Sequence, residues 1–234
     1  MNSQPLIISL EGNIGSGKST LMKYLEENLD EFLNLNKFNK KVCFLQEPVS
    51  SWSNIIDESD GKNVIQKFYE NNAKYAFAFQ MMAYISRLAL FRKALNENYD
   101  IIFTERSMYT DRNIFAKMLY ETGDIGSIEY QIYNTWFDEF TDCLQNMKIV
   151  YVITEPNTCY QRIVKRDRDG ETIPLDYLTN CHEHHESWLN SDNFTPTNKL
   201  QIDGNIDIKT DDKKFDSSKH YADIMEQIFH FITF

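Results

Sequence analysis

Nine residues near the start of the chain, Gly12-Asn13-Ile14-Gly15-Ser16-Gly17-Lys18-Ser19-Thr20, restrict its possible folds more than any other stretch. They fit G-x-x-x-x-G-K-[ST] and stand between a short apolar run, Leu6 to Leu10, and a helix-like segment, Gly17 to Asn28. That strand–loop–helix context is what the pattern requires. The glycines let the backbone curl until its N–H groups point at phosphate oxygens. The helix that follows aims the positive end of its dipole at the same place, and Lys18 adds a mobile cation. The Ser19 hydroxyl suits a Mg²⁺ ion held against the phosphates. Residues 12–20 therefore predict binding of a nucleoside triphosphate such as ATP.

The rest of the chain alternates in the way such a loop demands. Leu6 to Leu10, Val42 to Leu45, Ile101 to Phe103, Ile149 to Ile153 and Lys199 to Ile202 read as strands, short and mostly unbroken, as expected of strands covered on both faces. Between them the spacing predicts helices over Gly17 to Asn28, roughly Val64 to Leu95, Tyr109 to Tyr120 and Ile128 to Leu144. Further helices are expected at Asn157 to Asp167, Pro174 to Leu189 and Lys219 to Ile232. The alternation predicts an α/β fold with a parallel sheet and helices on both faces. Asp60 to Asn63 and Asp207 to Ser218 read as loops, and residues 1–234 as a single domain.

Composition narrows the class further. Hydrophobic residues are 42% and charged residues 25% of the 234, an ordinary globular balance. No apolar run approaches the ~18 residues of a membrane span, because Ser86 and Arg87 interrupt the stretch from Ala83 to Phe91. A net charge of −11 gives no cationic face for a nucleic-acid duplex, so neither nucleic acid nor membrane is expected as a partner. Cys43, Cys143, Cys159 and Cys181 are far apart and form no C-x-x-C pair, which suits thiols in a reducing compartment. The chain reaches apolar Leu6-Ile7-Ile8 almost at once, so a cytoplasmic location without a targeting segment is the expectation.

The phosphate loop alone does not separate kinases from switches or motors. Two further strands end in carboxylates, in Gln46-Glu47-Pro48-Val49 and Thr104-Glu105-Arg106-Ser107. Ligands of open α/β sheets collect at the carboxyl ends of strands, so Glu47 and Glu105 are expected to converge on the triphosphate. A carboxylate there either holds Mg²⁺ or takes a proton from an attacking hydroxyl, and Arg106 can neutralise charge on a moving phosphoryl group. Arg162, Arg166 and Arg168, close together before Gly170, read as an Arg-rich lid over phosphates, about 162–173. The positions Tyr69, Ala73, Ala76, Gln80, Ala83 and Arg87 form one stripe at helical spacing. The small alanines leave room for something flat, the Gln80 amide matches the edge of a nucleobase, and Phe79 and Phe115 are placed to sandwich it. Cys181-His182-Glu183-His184-His185-Glu186 resembles a metal cluster, but H-E-x-x-H needs His where Glu186 stands, so no metal site is read from it.

With these residues in view, the chain resembles the cellular deoxynucleoside kinases, which include the deoxycytidine, deoxyguanosine and mitochondrial thymidine kinases. The resemblance rests on EGNIGSGKST, EPVSSW, FQMMAYISR, ERSMYTDRNIFAKMLYE, RIVKRDRDGETIPLDYL and HESWL, in that order from residue 11 to about 190. It implies a P-loop kinase fold with a five-stranded parallel sheet, a homodimer, and ATP-dependent phosphorylation of a deoxynucleoside 5′-hydroxyl for salvage. It also implies site roles. Glu47 would be the general base, Glu105 with Ser19 would position Mg²⁺, and Arg106 would orient the 5′-oxygen. Arg162, Arg166 and Arg168 would close over the phosphates. Gln80 would read the acceptor base among Trp52, Phe79, Ala83 and Phe115, and Tyr69 with Glu171 would hold the sugar 3′-hydroxyl. Ile206, Asp207 and Ile208 would lie by the donor adenine.

In this family, Arg and Asp at the positions of Arg87 and Asp111 go with deoxycytidine or purine deoxynucleosides, whereas thymidine acceptors carry neutral residues there. Weak thymidine activity is therefore expected. The lid is one residue shorter than the family pattern between Arg168 and Pro174, and Asp167 and Asp169 stand among its arginines. Two rivals are a nucleoside monophosphate kinase of the thymidylate kinase type and a non-catalytic ATP-binding switch. The first needs a basic site for the acceptor phosphate, and no Arg stands near Glu47 in sequence. The second has no need of Glu47, Gln80 and the lid arginines together.

Overall fold

Ile7 and Ile8 are adjacent in sequence and buried in different cores, because successive strand residues point to opposite faces of a sheet. They belong to β1 (Leu6–Glu11), the central strand of the computed structural model, which describes residues 4–35, 37–141, 147–168, 171–192, 195, 197–206 and 217–233. β1 pairs in parallel with β3 (Ile101–Glu105) on one side and β4 (Met147–Ile153) on the other. β2 (Val42–Leu45) and β5 (Lys199–Asp203) complete a parallel sheet of five strands in the order β2-β3-β1-β4-β5. Its registers set Leu10 beside Glu105 and Leu45 beside Thr104, so Gly12, Glu47 and Arg106 leave the sheet at one end.

α1 (Lys18–Leu35) and α10 (Ser217–Thr233) cover one face. Met22, Leu25 and Leu29 of α1 meet Ile8, Leu10, Phe103 and Ile228 with no exposed surface, each burial stabilising by about 1.5–3 kcal/mol. On the other face, Tyr84, Leu88 and Phe91 of α4 (Asn72–Leu95) pack with Tyr133 and Phe137 of α7 (Ser127–Phe140) on Ile7 and Ile102. α8 (Pro156–Arg166) and α9 (Leu175–Leu189) share a smaller apolar cluster with Ile14 of the phosphate loop.

Several elements depart from the expectation. β2 is half-buried along its length and β5 is exposed at alternate positions, because both are edge strands. The long helix expected from Val64 to Leu95 is two, α3 (Val64–Glu70) and α4. Asn63 caps α3 in a reciprocal capping box with Gln66; the chain then breaks at Asn71 (φ −153°, ψ 83°), whose side chain accepts the Lys74 N–H and starts the next helix. Tyr69 therefore stands on α3, Ala73 is exposed, and the buried stripe of α4 begins at Ala76. A short α2 (Val49–Ser53) follows the Glu47–Pro48 step. The helix over residues 108–121 is α5 (Met108–Thr110), a π-helical stretch (Asp111–Ala116) and α6 (Lys117–Glu121). Cys143, Asp169, Gly170, Asp207 and Ile208 lie outside the described residues. Among the described residues no helix is long and apolar enough to cross a membrane.

Candidate active site

The phosphate loop is held from below by contacts that only small or particular residues allow. Gly12 has φ +144°, and a Cβ there would sit 2.5 Å from the Val152 carbonyl oxygen. Gly15 has φ +78°, and a Cβ would meet the Cys159 oxygen at 2.7 Å. Asn13 Nδ2 donates to the Leu178 carbonyl of α9 (2.8 Å), and Thr154 Oγ1 donates to the Ser16 carbonyl (3.1 Å). Lys18 Nζ donates to the carbonyls of Gly12 (3.0 Å) and Asn13 (2.7 Å). Burial strips this ammonium of water and Arg106 adds like charge; Glu105 and Glu47 oppose them only partly, and its pKa falls to about 7.

Ser19 Oγ donates to Glu105 Oε1 at 2.6 Å, so two hard oxygen atoms sit together at the first turn of α1. The next residue, Arg106, has φ +61°, a left-handed conformation that costs a non-glycine residue about 1–2 kcal/mol. Its guanidinium lies 5.2 Å from the Phe115 ring centre, and Nη1 donates to both oxygens of Glu47 (3.0 and 3.1 Å). Arg87, buried on α4, joins the other groups. Nη2 reaches Glu47 (2.9 Å), Nε reaches Asp111 (2.9 Å), and Nη1 reaches the Glu105 carbonyl (2.7 Å). Burial pushes the Glu47 carboxyl up, but Arg106, Arg87 and Lys18 outweigh it and hold its pKa at about 2. Asp111 is raised, because burial exceeds the attraction of Arg87.

A single cleft of about 810 Å³, a size typical of small-molecule sites, is lined by most of these residues. Ile14 to Leu21, Glu47, Glu105, Arg106, Arg162, Arg166, Arg168 and Ile206 line it, as do Trp52, Tyr69, Phe79, Gln80, Ala83, Asp111, Phe115 and Glu171. Gly12, Asn13 and Arg87 do not; they support it from behind. The π-helical stretch brings Asp111 and Phe115 to the same wall. Gln80 is 3% exposed and its Oε1 has no hydrogen-bond partner in the protein. An unmatched buried carbonyl beside a cleft favours a ligand that donates to it.

Phe79 stacks on Phe68 (4.5 Å, 11°) and meets Trp52 edge-on, while Trp52 Nε1 donates to Ser86. Glu171 accepts from Arg166 at 2.5 and 3.0 Å and stands 3.8 Å from Arg168. Arg162 links the loop to the segment by β5, donating to the carbonyls of Ser16 (3.2 Å) and Ile206 (3.0 Å). The histidine run of α9 does not converge, since His184 faces Glu121 and Asn180 while His185 is buried against the Cys181 carbonyl. Tyr177 and Phe68 also line the cleft. Neither carries a local sequence signal, because each reaches it through tertiary packing.

The family model for deoxynucleoside kinase matches residues 8–233. The chain is 35% identical over 230 residues to a probable deoxycytidine kinase of fowlpox virus, covering 97% of this chain and 88% of that one. It is 32% identical to human deoxycytidine kinase, with 97% and 90% covered. It is 31% identical to the mitochondrial deoxyguanosine kinase of Xenopus laevis, with 78% and 72% covered. A phosphate loop and a carboxylate clamped by two guanidiniums at one cleft thus accompany a match over nearly the whole chain, and the protein belongs to the deoxynucleoside kinase family.

Proposed function

We propose that this kinase moves the γ-phosphoryl group of ATP to the 5′-hydroxyl of a neutral deoxynucleoside, favouring deoxycytidine or purine deoxynucleosides over thymidine, in nucleotide salvage. The observation that carries the reading is Glu47, bound by Arg106 within the cleft and by Arg87 behind it, in the same cleft as the phosphate loop and Gln80 with its unmatched carbonyl. The 5′-oxygen forms its bond to the γ-phosphorus as the bond to the β-phosphate oxygen breaks. Its proton passes to a Glu47 oxygen, and ADP leaves. A carboxylate with a pKa of about 2 is a weak base, which suits a loose transition state in which the proton moves late. Arg106 stands where charge grows on the transferring group, and Arg162, Arg166 and Arg168 are the closing cations.

Ser19 Oγ and Glu105 Oε1, 2.6 Å apart, fit Mg²⁺, an oxygen-seeking ion that keeps several waters and takes few protein ligands. When bound it supplies charge neutralisation at the phosphates. Gln80 and the Arg87–Asp111 pair (2.9 Å) are the base-reading groups, with Trp52, Phe79, Ala83 and Phe115 as walls. Tyr69 takes the sugar with Glu171 once the Arg166 contact rearranges. Ile206, which lines the cleft, borders the donor base.

Residues 1–234 work as one kinase domain in this reading, in the cytoplasm, where Cys43, Cys159 and Cys181 stay free. A homodimer is supported by exposed Ile128 (74%), Ile132 (42%) and Trp136 (46%), spaced four apart on α7, and by Ile85 (49%) on adjoining α4. Light scattering is expected to give twice the 27.6 kDa chain mass, and Trp136→Glu to give a monomer; a monomeric wild type contradicts the dimer.

The acceptor is tested by ADP formation from Mg-ATP with deoxycytidine, deoxyguanosine and deoxyadenosine, against dCMP and dTMP. Turnover on nucleosides alone is expected. Turnover confined to the monophosphates overturns the acceptor assignment, and tight ATP binding with no turnover on any of the five favours a switch.

A further inference from the structure

Glu11 ends β1 immediately before the phosphate loop, and it has no exposed surface and no place in the mechanism above. Its carboxylate is matched by four neutral donors. Oε1 accepts from Ser9 Oγ (2.5 Å), Ser107 N–H (3.0 Å) and Ser107 Oγ (2.7 Å), and Oε2 accepts from Thr110 Oγ1. All three partner residues are equally buried. Two of them, Ser107 and Thr110, are the N-cap and the last residue of α5, which follows Arg106.

Arg106 is therefore gripped on both sides. Its own N–H donates to the Leu10 carbonyl (3.0 Å), and its carbonyl accepts from Thr104 Oγ1 (2.8 Å). The next N–H, that of Ser107, donates to Glu11. Between these anchors the residue holds φ +61°, a conformation that persists only where the surroundings over-determine it. The last two residues of β1 supply two of the three anchors.

We infer that Glu11 is a positioning residue for phosphoryl transfer: its carboxylate fixes the Ser107 peptide and so holds Arg106 in the left-handed conformation that presents its guanidinium to Glu47. The inference rests on the role proposed for Arg106. It assigns Glu11 no contact with substrate and no part in binding the triphosphate, although Gly12 is its neighbour.

The test compares Glu11→Ala, Glu11→Gln and Glu11→Asp in the full-length enzyme, alone and with Arg106→Ala. Glu11→Ala is expected to lower kcat ~10²-fold with KM for both substrates and the Kd for Mg-ATP within ~3-fold, the split of an interaction made only in the transition state. Glu11→Gln keeps an oxygen for the Ser107 N–H and is expected within ~5-fold of wild type. Glu11→Asp keeps the charge but withdraws the oxygens, and is expected to fall like Glu11→Ala; if Glu11→Ala does not fold, Glu11→Asp is the variant read. In the Arg106→Ala background the Glu11 substitution is expected to cost less than ~3-fold more, because both act through one group. Full additivity on that background, an unchanged kcat in the folded variants, or a loss confined to ATP binding overturns the inference. Full activity in Arg106→Ala alone instead removes the proposed role of Arg106.

Discussion

Lys18 carries a prediction that can be worked through in numbers. Burial and the neighbouring Arg106 bring its pKa to about 7, so near neutrality the free enzyme holds this side chain only half charged. A triphosphate placed against Nζ favours the ammonium and returns the group toward the ordinary lysine value of about 10.4. Mg-ATP binding must then take up about half a proton at pH 7 and about nine-tenths of one at pH 8. Affinity follows the same curve: it weakens about tenfold between pH 6 and pH 8, or ~1.4 kcal/mol. Calorimetric titration in three buffers of different ionisation enthalpy measures the uptake directly, and Lys18→Met supplies the background that belongs to the nucleotide. Uptake below ~0.2 proton at pH 8, or equal uptake in Lys18→Met, refutes the reasoning. The sign for folding is the reverse. Between about 7 and about 10.4 the unfolded lysine binds a proton that the folded one does not, so the free enzyme gains stability as pH rises through that window.

Four further outcomes follow from the same geometry. Glu47→Gln removes the base and is expected to lower kcat ~10²–10⁴-fold, measured by single-turnover ADP release; retention of more than about a tenth of the rate contradicts its role. Because the Glu47 pKa is held at about 2, its contribution to stability is present above the ordinary carboxylate range and is lost as pH falls from about 4.5 to about 2, which acid titration of the unfolding midpoint detects; it sets no acid limb in kcat near pH 5–6. Asp111→Ala removes one of the two carboxylates that Arg87 binds and is expected to raise the thymidine-to-deoxycytidine ratio of kcat/KM by about tenfold or more, read by competition kinetics; an unchanged ratio removes the pair from base selection. Gly12→Ala forces a side chain onto φ +144° and into the Val152 oxygen, and denaturant unfolding is expected to show a loss of about 2 kcal/mol or more; a loss under about 0.5 kcal/mol contradicts the close approach.

The parts of the fold readable from sequence are those set by local pattern. The five apolar runs become the five strands, and the strand–glycine loop–helix order fixes where the phosphate loop stands. Glu47 and Arg106, 59 positions apart, meet because parallel register carries both strand ends to one edge. Packing decides the rest. The break at Asn71 is a competition that the Asn side chain wins by capping Lys74, which the apolar spacing of the segment does not encode. The half-burial of β2 depends on sheet order, which its four residues do not encode. The π-helical turn that brings Asp111 and Phe115 to one wall has no periodic signature in so short a run. Glu11 reads as an ordinary strand end until Ser107 and Thr110, about a hundred residues on, are seen around it. Glu171 pairs with Arg166, five residues before it, yet nothing in the spacing says whether it faces the lid or the sugar.

In the proposed reaction Glu47 activates the 5′-hydroxyl of a neutral deoxynucleoside whose base is selected by Gln80, Arg87 and Asp111. This is tested most directly by one competition: Mg-ATP with equal deoxycytidine, deoxyadenosine, deoxyguanosine and thymidine, the monophosphate products separated and counted for the wild type and Glu47→Gln. Deoxycytidine or purine monophosphates are expected as the main products, thymidine monophosphate as the least, and near-silence from the variant. Thymidine monophosphate as the leading product, or a variant as productive as the wild type, contradicts the proposal.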